Sequence, residues 1–119
     1  MKTIIHIKRI YSPPLQTDGH RVLVDRLWPR GVAKTKAQID DWVKELAPST
    51  ELRKWFNHKP ERWVAFQKKY IDELKANINV NEFLRTHQHK ETITLLFAGK
   101  EEQYTHALVL KEYLTKSFK

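Results

Sequence analysis

One stretch constrains this chain more than any other: Val22-Leu23-Val24-Asp25-Arg26-Leu27-Trp28-Pro29-Arg30-Gly31, where three branched apolar residues run straight into a charged turn. A strand covered on both faces is a continuous apolar run rather than an alternation, and in open α/β sheets ligands sit beyond the strands' carboxyl ends. The pattern predicts a buried strand opening into a site, with Asp25, Arg26 and Arg30 at its mouth and Trp28 as a wall. The structural reading of the same residues is that Asp25 and Arg26 pair with each other or with a helix, Trp28 plugs the core, and residues 29–31 only turn the chain.

Around this stretch the periodicity predicts three strands and five helices. Ile4, Ile5 and Ile7 place a first strand over 3–8, with Arg9 and Tyr11 following it. Residues 11–19, with Pro13, Pro14 and the turn pair Asp18-Gly19, read as a surface connection to a second strand over 20–25. That loop is too long for a two-residue hairpin, and a parallel arrangement is favoured. From Lys36 onward the spacing becomes helical. Ile39, Trp42, Val43 and Leu46 fall on one face of a helix that stops before Pro48. Ser49 caps a second helix with Leu52, Trp55 and Phe56, ending near His58; Pro60 opens a third with Trp63, Phe66, Tyr70 and Leu74, ending at Asn77. Asn79 with Glu82 reads as a capping box for a fourth. A third strand covers 92–98, and a last helix spans about 101–117, burying Ala107, Leu110 and Leu114. The expected fold is α/β: a small, mostly parallel three-stranded sheet covered by helices, order β-β-αααα-β-α, as one domain over residues 1–119.

Composition narrows the chemistry. The chain has no cysteine, which removes disulfides, thiolate nucleophiles and the common structural zinc sites. A net charge of +8 lies mainly in the first half, where residues 1–60 hold 12 basic and 6 acidic side chains against 10 and 8 in the remainder. Such a field favours anionic partners without choosing among nucleic acid, phosphorylated metabolites and small acids. No stretch approaches the roughly 20 apolar residues of a membrane span, the start turns polar too soon for a signal peptide, and the expected address is cytoplasmic. The three glycines, at positions 19, 31 and 99, form no phosphate-cradling motif.

A second stretch, Leu95-Leu96-Phe97-Ala98-Gly99-Lys100, repeats the strand-then-cation layout. If the second and third strands are parallel, their carboxyl ends share one sheet edge, so Arg26, Arg30 and Lys100 converge beside a helix N-terminus that also attracts anions. The first strand adds Arg9 and Tyr11. In such a pocket Asp25 is a candidate general base, and His106, near the helix N-terminus, a candidate proton carrier or substrate contact. A packed or capping role is the ordinary one for a histidine in that position. Thr105 lacks an identifiable activating base. His87 and His89 invite a metal reading, but without an acidic or third imidazole ligand nearby in sequence neither a metal nor a cofactor is assigned. The residues 39–46 and 49–56, with Arg53 and Lys54 on the second segment, also suggest a helix-turn-helix, though Trp42, Trp55 and Phe56 read as core.

At these residues the chain resembles the YeaO-like branch of the bacterial family called domain of unknown function 488. The resemblance spans nearly the whole chain and rests on Lys8-Arg9-Ile10-Tyr11, Asp18-Gly19, Asp25-Arg26-Leu27-Trp28-Pro29-Arg30-Gly31, Trp42 with Lys44, Pro48-Ser49-Thr50-Glu51-Leu52-Arg53-Lys54, Phe97-Ala98-Gly99-Lys100 and His106-Ala107-Leu108. It implies a small α/β domain with a parallel sheet and no established activity. The wider family often carries a cysteine just before the histidine matched by His106. This chain has Thr105 there, so thiol chemistry does not carry over.

The functional expectation is binding, and turnover as an extension of it, of a small phosphate- or carboxylate-bearing ligand by Arg9, Tyr11, Arg26, Trp28, Arg30 and Lys100, with Asp25 and His106 moving protons. The alternatives are a basic nucleic-acid-associated regulator and an interaction module with no ligand.

Overall fold

Leu95 and Leu96 are neighbours in sequence and both fully buried, which requires cover on both faces of the sheet that holds them. The computed structural model, which describes residues 3–118, supplies it. Four strands, β1 (Ile4–Arg9), β2 (His20–Leu23), β3 (Asp41–Trp42) and β4 (Thr92–Phe97), form a sheet of order β1-β4-β2-β3. Every pairing is parallel. Val22 lies opposite Leu95 and Leu23 opposite Leu96, so the two sequence stretches with the same layout end side by side. The favoured parallel direction of the first strand is borne out, because β1 and β2 each run parallel to β4.

The helices are α1 (Lys34–Ala37), α2 (Thr50–Phe56), α3 (Trp63–Ala76), α4 (Ile78–His87) and α5 (His106–Ser117). Val22, Val24, Ile93, Leu95 and Phe97 point into the larger core, against Phe66, Tyr70 and Leu74 of α3, Val80 and Phe83 of α4, and Leu110 and Leu114 of α5. Leu23 and Leu96 point the other way into a smaller core closed by Ile10, Ala37, Trp28, Val32 and Ile39. That second layer is thin, built from the loop after β2 and the single turn of α1.

The sheet has four strands rather than three, and the extra one replaces an expected helix. Residues 36–46 do not form one continuous helix. The chain turns out of α1 at Gln38, whose φ of 50° is left-handed, and then pairs with the free edge of β2. Asp40 N–H donates to Arg21 O (2.8 Å) and Val43 N–H to Leu23 O (2.9 Å). The helical spacing of Ile39, Trp42, Val43 and Leu46 is genuine in sequence, but the unpaired backbone groups along β2 have the stronger claim. Leu46 is fully buried all the same, from a 3₁₀ turn over Lys44–Leu46. Without a helix over 39–46 the helix-turn-helix reading fails.

Two helix starts also move. Asn77, rather than Asn79, caps α4 by accepting the Asn79 N–H at 2.9 Å, while Glu82 pairs along the helix with Arg85. The last helix begins at His106 instead of residue 101, because Thr105 is extended and its Oγ1 accepts the Ala107 N–H (3.3 Å). Ser49 caps α2 as expected, and Pro60 opens a 3₁₀ turn that leads into α3. No helix among the described residues is long and apolar enough to cross a membrane.

Candidate functional site

Because β2 and β4 are parallel neighbours, the turn after β2 and the loop after β4 leave the same edge of the sheet. Between them, roofed by the segment from Ala47 to His58, lies a cleft of about 800 Å³. Asp25, Arg26, Trp28, Arg30, Lys100 and His106 all line it, as does Tyr11. Arg9 does not reach its wall. The Arg9 side chain instead donates to the carbonyls of Gly99 (2.9 Å) and Ala98 (3.3 Å) and lies over the Tyr11 ring, tying the exit of β1 to that of β4.

Asp25 and His106 meet at the floor. Asp25 Oδ2 accepts the Ala98 N–H at 2.8 Å, and Oδ1 lies 3.3 Å from His106 Nε2. The same Nε2 lies 3.0 Å from the Val24 carbonyl. A carbonyl only accepts, so Nε2 carries hydrogen and the tautomer faces the backbone. His106 occupies the first position of α5, where the expected helix N-terminus joins the cleft. Thr105 is buried with its hydroxyl engaged in the cap.

The cations divide into tethered and free. Arg26 Nη2 donates to the carbonyls of Ala47 (3.2 Å) and Pro48 (3.1 Å), and its Nε is buried without a partner among the described residues. Arg30 and Lys100 are exposed, and no side-chain hydrogen bond or ion pair holds them among the described residues. Arg53, which the family resemblance had singled out without assigning it to the pocket, and His58 also line the cleft, and Glu101 contributes an acidic group beside Asp25. The lining is otherwise apolar and aromatic: Phe56 and Phe66 had read as helix-stripe residues and Phe97 as part of the third strand, Tyr104 joins them, and a sequence gives no sign of which core side chains also face a cleft.

Trp28 forms a wall whose position is fixed. Its indole N–H donates to Val32 O (2.9 Å), and its ring meets Trp42 edge-on at 5.4 Å. Behind the floor, Tyr70 donates to Leu46 O at 2.5 Å. Burial pushes its hydroxyl well above the usual phenol range, Glu73 and Asp25 add to the rise and Arg26 opposes it, so the group is a fixed donor.

Residues 4–119 match the family model DUF488-N3i, described as "Inactive DUF488-N3 subclade". The chain is 44% identical over 110 residues to the Uncharacterized protein YeaO of Escherichia coli (strain K12), covering 92% of this chain and 96% of that protein. It is 37% identical over 113 residues to the Uncharacterized protein Rv3073c of Mycobacterium tuberculosis (strain ATCC 25618 / H37Rv), covering 95% of each. No solved structure matches it significantly.

Proposed function

Because this chain belongs to the DUF488-N3i family, as a YeaO-like member of the domain of unknown function 488 group, we propose that its carboxyl-edge cleft binds a small anionic ligand and does not turn it over. The observation that carries the reading is the pairing of an aromatic-walled cleft with cations left free at its rim: Arg30, Arg53 and Lys100 stand around Phe56, Phe97 and Tyr104. Such a site suits a molecule with a phosphate or carboxylate at one end and a flat apolar body at the other.

Binding without chemistry fits the engaged groups at the floor. Thr105 is held as a cap, Asp25 by the Ala98 N–H and His106 by the Val24 carbonyl. The family's description as inactive agrees with this. In this reading Asp25 and His106 position the ligand. A cleft that stands open at the strand ends also speaks against the interaction module, which needs the pocket filled by the protein's own side chains.

The test is a thermal-shift series with inorganic phosphate, nucleoside monophosphates, sugar phosphates and aromatic carboxylates at fixed ionic strength. A ligand at about 100 times its Kd stabilises the folded state by roughly 2.7 kcal/mol. The expected result is a response to one class that disappears in the Arg30→Ala/Lys100→Ala double variant. Absence of any response, or one that survives the double variant, refutes the reading. A response confined to long polyanions and lost steeply with salt moves the assignment to non-specific nucleic-acid contact.

A further inference from the structure

At the other end of β2, three residues from distant parts of the chain converge. His20 opens the strand, Asp41 stands on β3, and His87 ends α4. His20 Nε2 lies 2.5 Å and His87 Nε2 3.2 Å from the same oxygen, Asp41 Oδ2, and one ligand atom from each residue falls within 4.8 Å of the others. From the geometry we infer that His20, Asp41 and His87 form a divalent transition-metal site, of the zinc class, with an open fourth position for water.

Ligand chemistry and orientation both support this. Two imidazoles and one carboxylate on three separate elements are a donor set that zinc and its neighbours accept, and the number of protein ligands matches a site that keeps one position open. His87 is aimed from behind. Its Nδ1 lies 2.9 Å from the Phe83 carbonyl, and its ring stacks on Phe83 with centroids 4.0 Å apart. Donation from Nδ1 to a backbone carbonyl is how metal-bound histidines are commonly oriented, since it turns the Nε2 lone pair outward. Nδ1 also lies 2.9 Å from the Thr86 hydroxyl, and the Nε2 edge meets a carboxylate, which only accepts, so the point between them takes either a proton on Nε2 or a metal cation.

The spacing around Asp41 fits with one adjustment, and the ligand atoms of the two histidines lie within 4.8 Å of one another. Ligands about 2.0–2.1 Å from a tetrahedral ion stand roughly 3.3 Å apart. His87 and Asp41 already do, whereas His20 and Asp41 must separate by about 0.8 Å, which a carboxylate side chain 43% exposed permits. The exposed side of Asp41 is also the entry path. The histidine side chains are 20% and 12% exposed, so the imidazoles form the sheltered wall. Asp40 Oδ2, 3.9 Å from His20 Nδ1, adds negative charge beside the site. His20 and Asp25 are five residues apart, roughly 17 Å along an extended strand, so this site is separate from the cleft.

The experiment uses the full chain, stripped with a chelator and titrated with Zn²⁺ against a chromophoric competitor, and with Co²⁺ in the visible spectrum. One equivalent of Zn²⁺ is expected, with intense four-coordinate Co²⁺ bands and a Tm rise of roughly 5–10 °C at saturation. Asp41→Asn and His87→Gln, checked for folding by circular dichroism, should each weaken Zn²⁺ more than about 100-fold, beyond what loss of an outer-shell partner costs. His89→Gln should bind like the parent. No uptake by the folded chain, or uptake that survives both Asp41→Asn and His87→Gln, overturns the assignment.

Discussion

Asp25 Oδ2 accepts the Ala98 N–H at 2.8 Å, so a side chain just past the end of β2 closes the backbone just past the end of β4. The two strand exits that build the cleft are joined by a group that also forms its floor. Asp25 therefore holds the site's shape before it touches any ligand.

Asp25→Ala should cost about 1–3 kcal/mol, the cost of leaving a partly buried N–H without its acceptor. Asp25→Asn keeps a carbonyl oxygen for Ala98 and should cost clearly less. Urea denaturation of the two variants checks this. Equal losses would mean that the charge, through His106 at 3.3 Å, matters more than the backbone contact.

Asp18 shows a comparable economy inside the loop that had read as a plain surface connection. Its side chain is 8% exposed and accepts from Arg21 Nη1 (2.5 Å), Lys8 Nζ (3.0 Å) and the Leu15 N–H (2.9 Å). Burial alone raises a carboxyl, but these donors outweigh it and hold Asp18 below its ordinary value. A depressed folded-state value means that the stabilisation is present above the unfolded value, near 3.9, and is lost as pH falls through the folded one. Asp18→Asn should be less stable than the parent by about 3 kcal/mol at neutral pH, because it strips a buried pair of one charge. The gap should narrow below about pH 4. A gap of constant size across acid titration would contradict the pairing.

Gly19 sits directly after it at φ 67°, with the space for a Cβ only 2.4 Å from Thr92 O. Backbone conformation and backbone contact both exclude a side chain. Gly19→Ala should lose about 2 kcal/mol or more in thermal or urea unfolding, whereas Gly31→Ala, with open space around its Cβ, should lose only the smaller cost of a left-handed alanine.

Much of this architecture is legible in the sequence where a local signal and the tertiary fold agree. The runs at Val22 and Leu95 are continuous because both faces are covered, and Ser49 caps because its Oγ meets the Leu52 N–H (3.1 Å) whatever the helix packs on. β3 was hidden for the opposite reason. Two residues carry no periodicity of their own, and only the open edge of β2 makes them a strand. Within the site, Asp25, Arg26, Trp28, Arg30 and Lys100 follow from strand ends that can be read, while Arg53 and His58 arrive over the top from α2 and its exit. The His20, Asp41 and His87 cluster was invisible because its members lie 21 and 46 positions apart. No spacing rule joins residues that meet only through the strand order.

The division of the cleft's arginines gives the sharpest check on the proposed binding role. Arg26 is spent on the fold: its Nη2 ties the turn after β2 to the carbonyls of Ala47 and Pro48, and those carbonyls lose their partner if it is removed. Arg26→Ala should therefore cost about 1–3 kcal/mol of stability with no ligand present. Arg30 and Lys100 hold no such contacts among the described residues, so alanine at either position should leave the unfolding free energy within about 0.5 kcal/mol of the parent's. Their effect should fall on an anionic ligand found by the thermal-shift series, weakening it by about tenfold each if each donates one charge-assisted hydrogen bond. Calorimetry on the single variants separates the two outcomes. If Arg30→Ala and Lys100→Ala reduced Tm as much as Arg26→Ala did, the rim charges would belong to the protein's own framework, and the cleft would lose the groups that make it selective for anions.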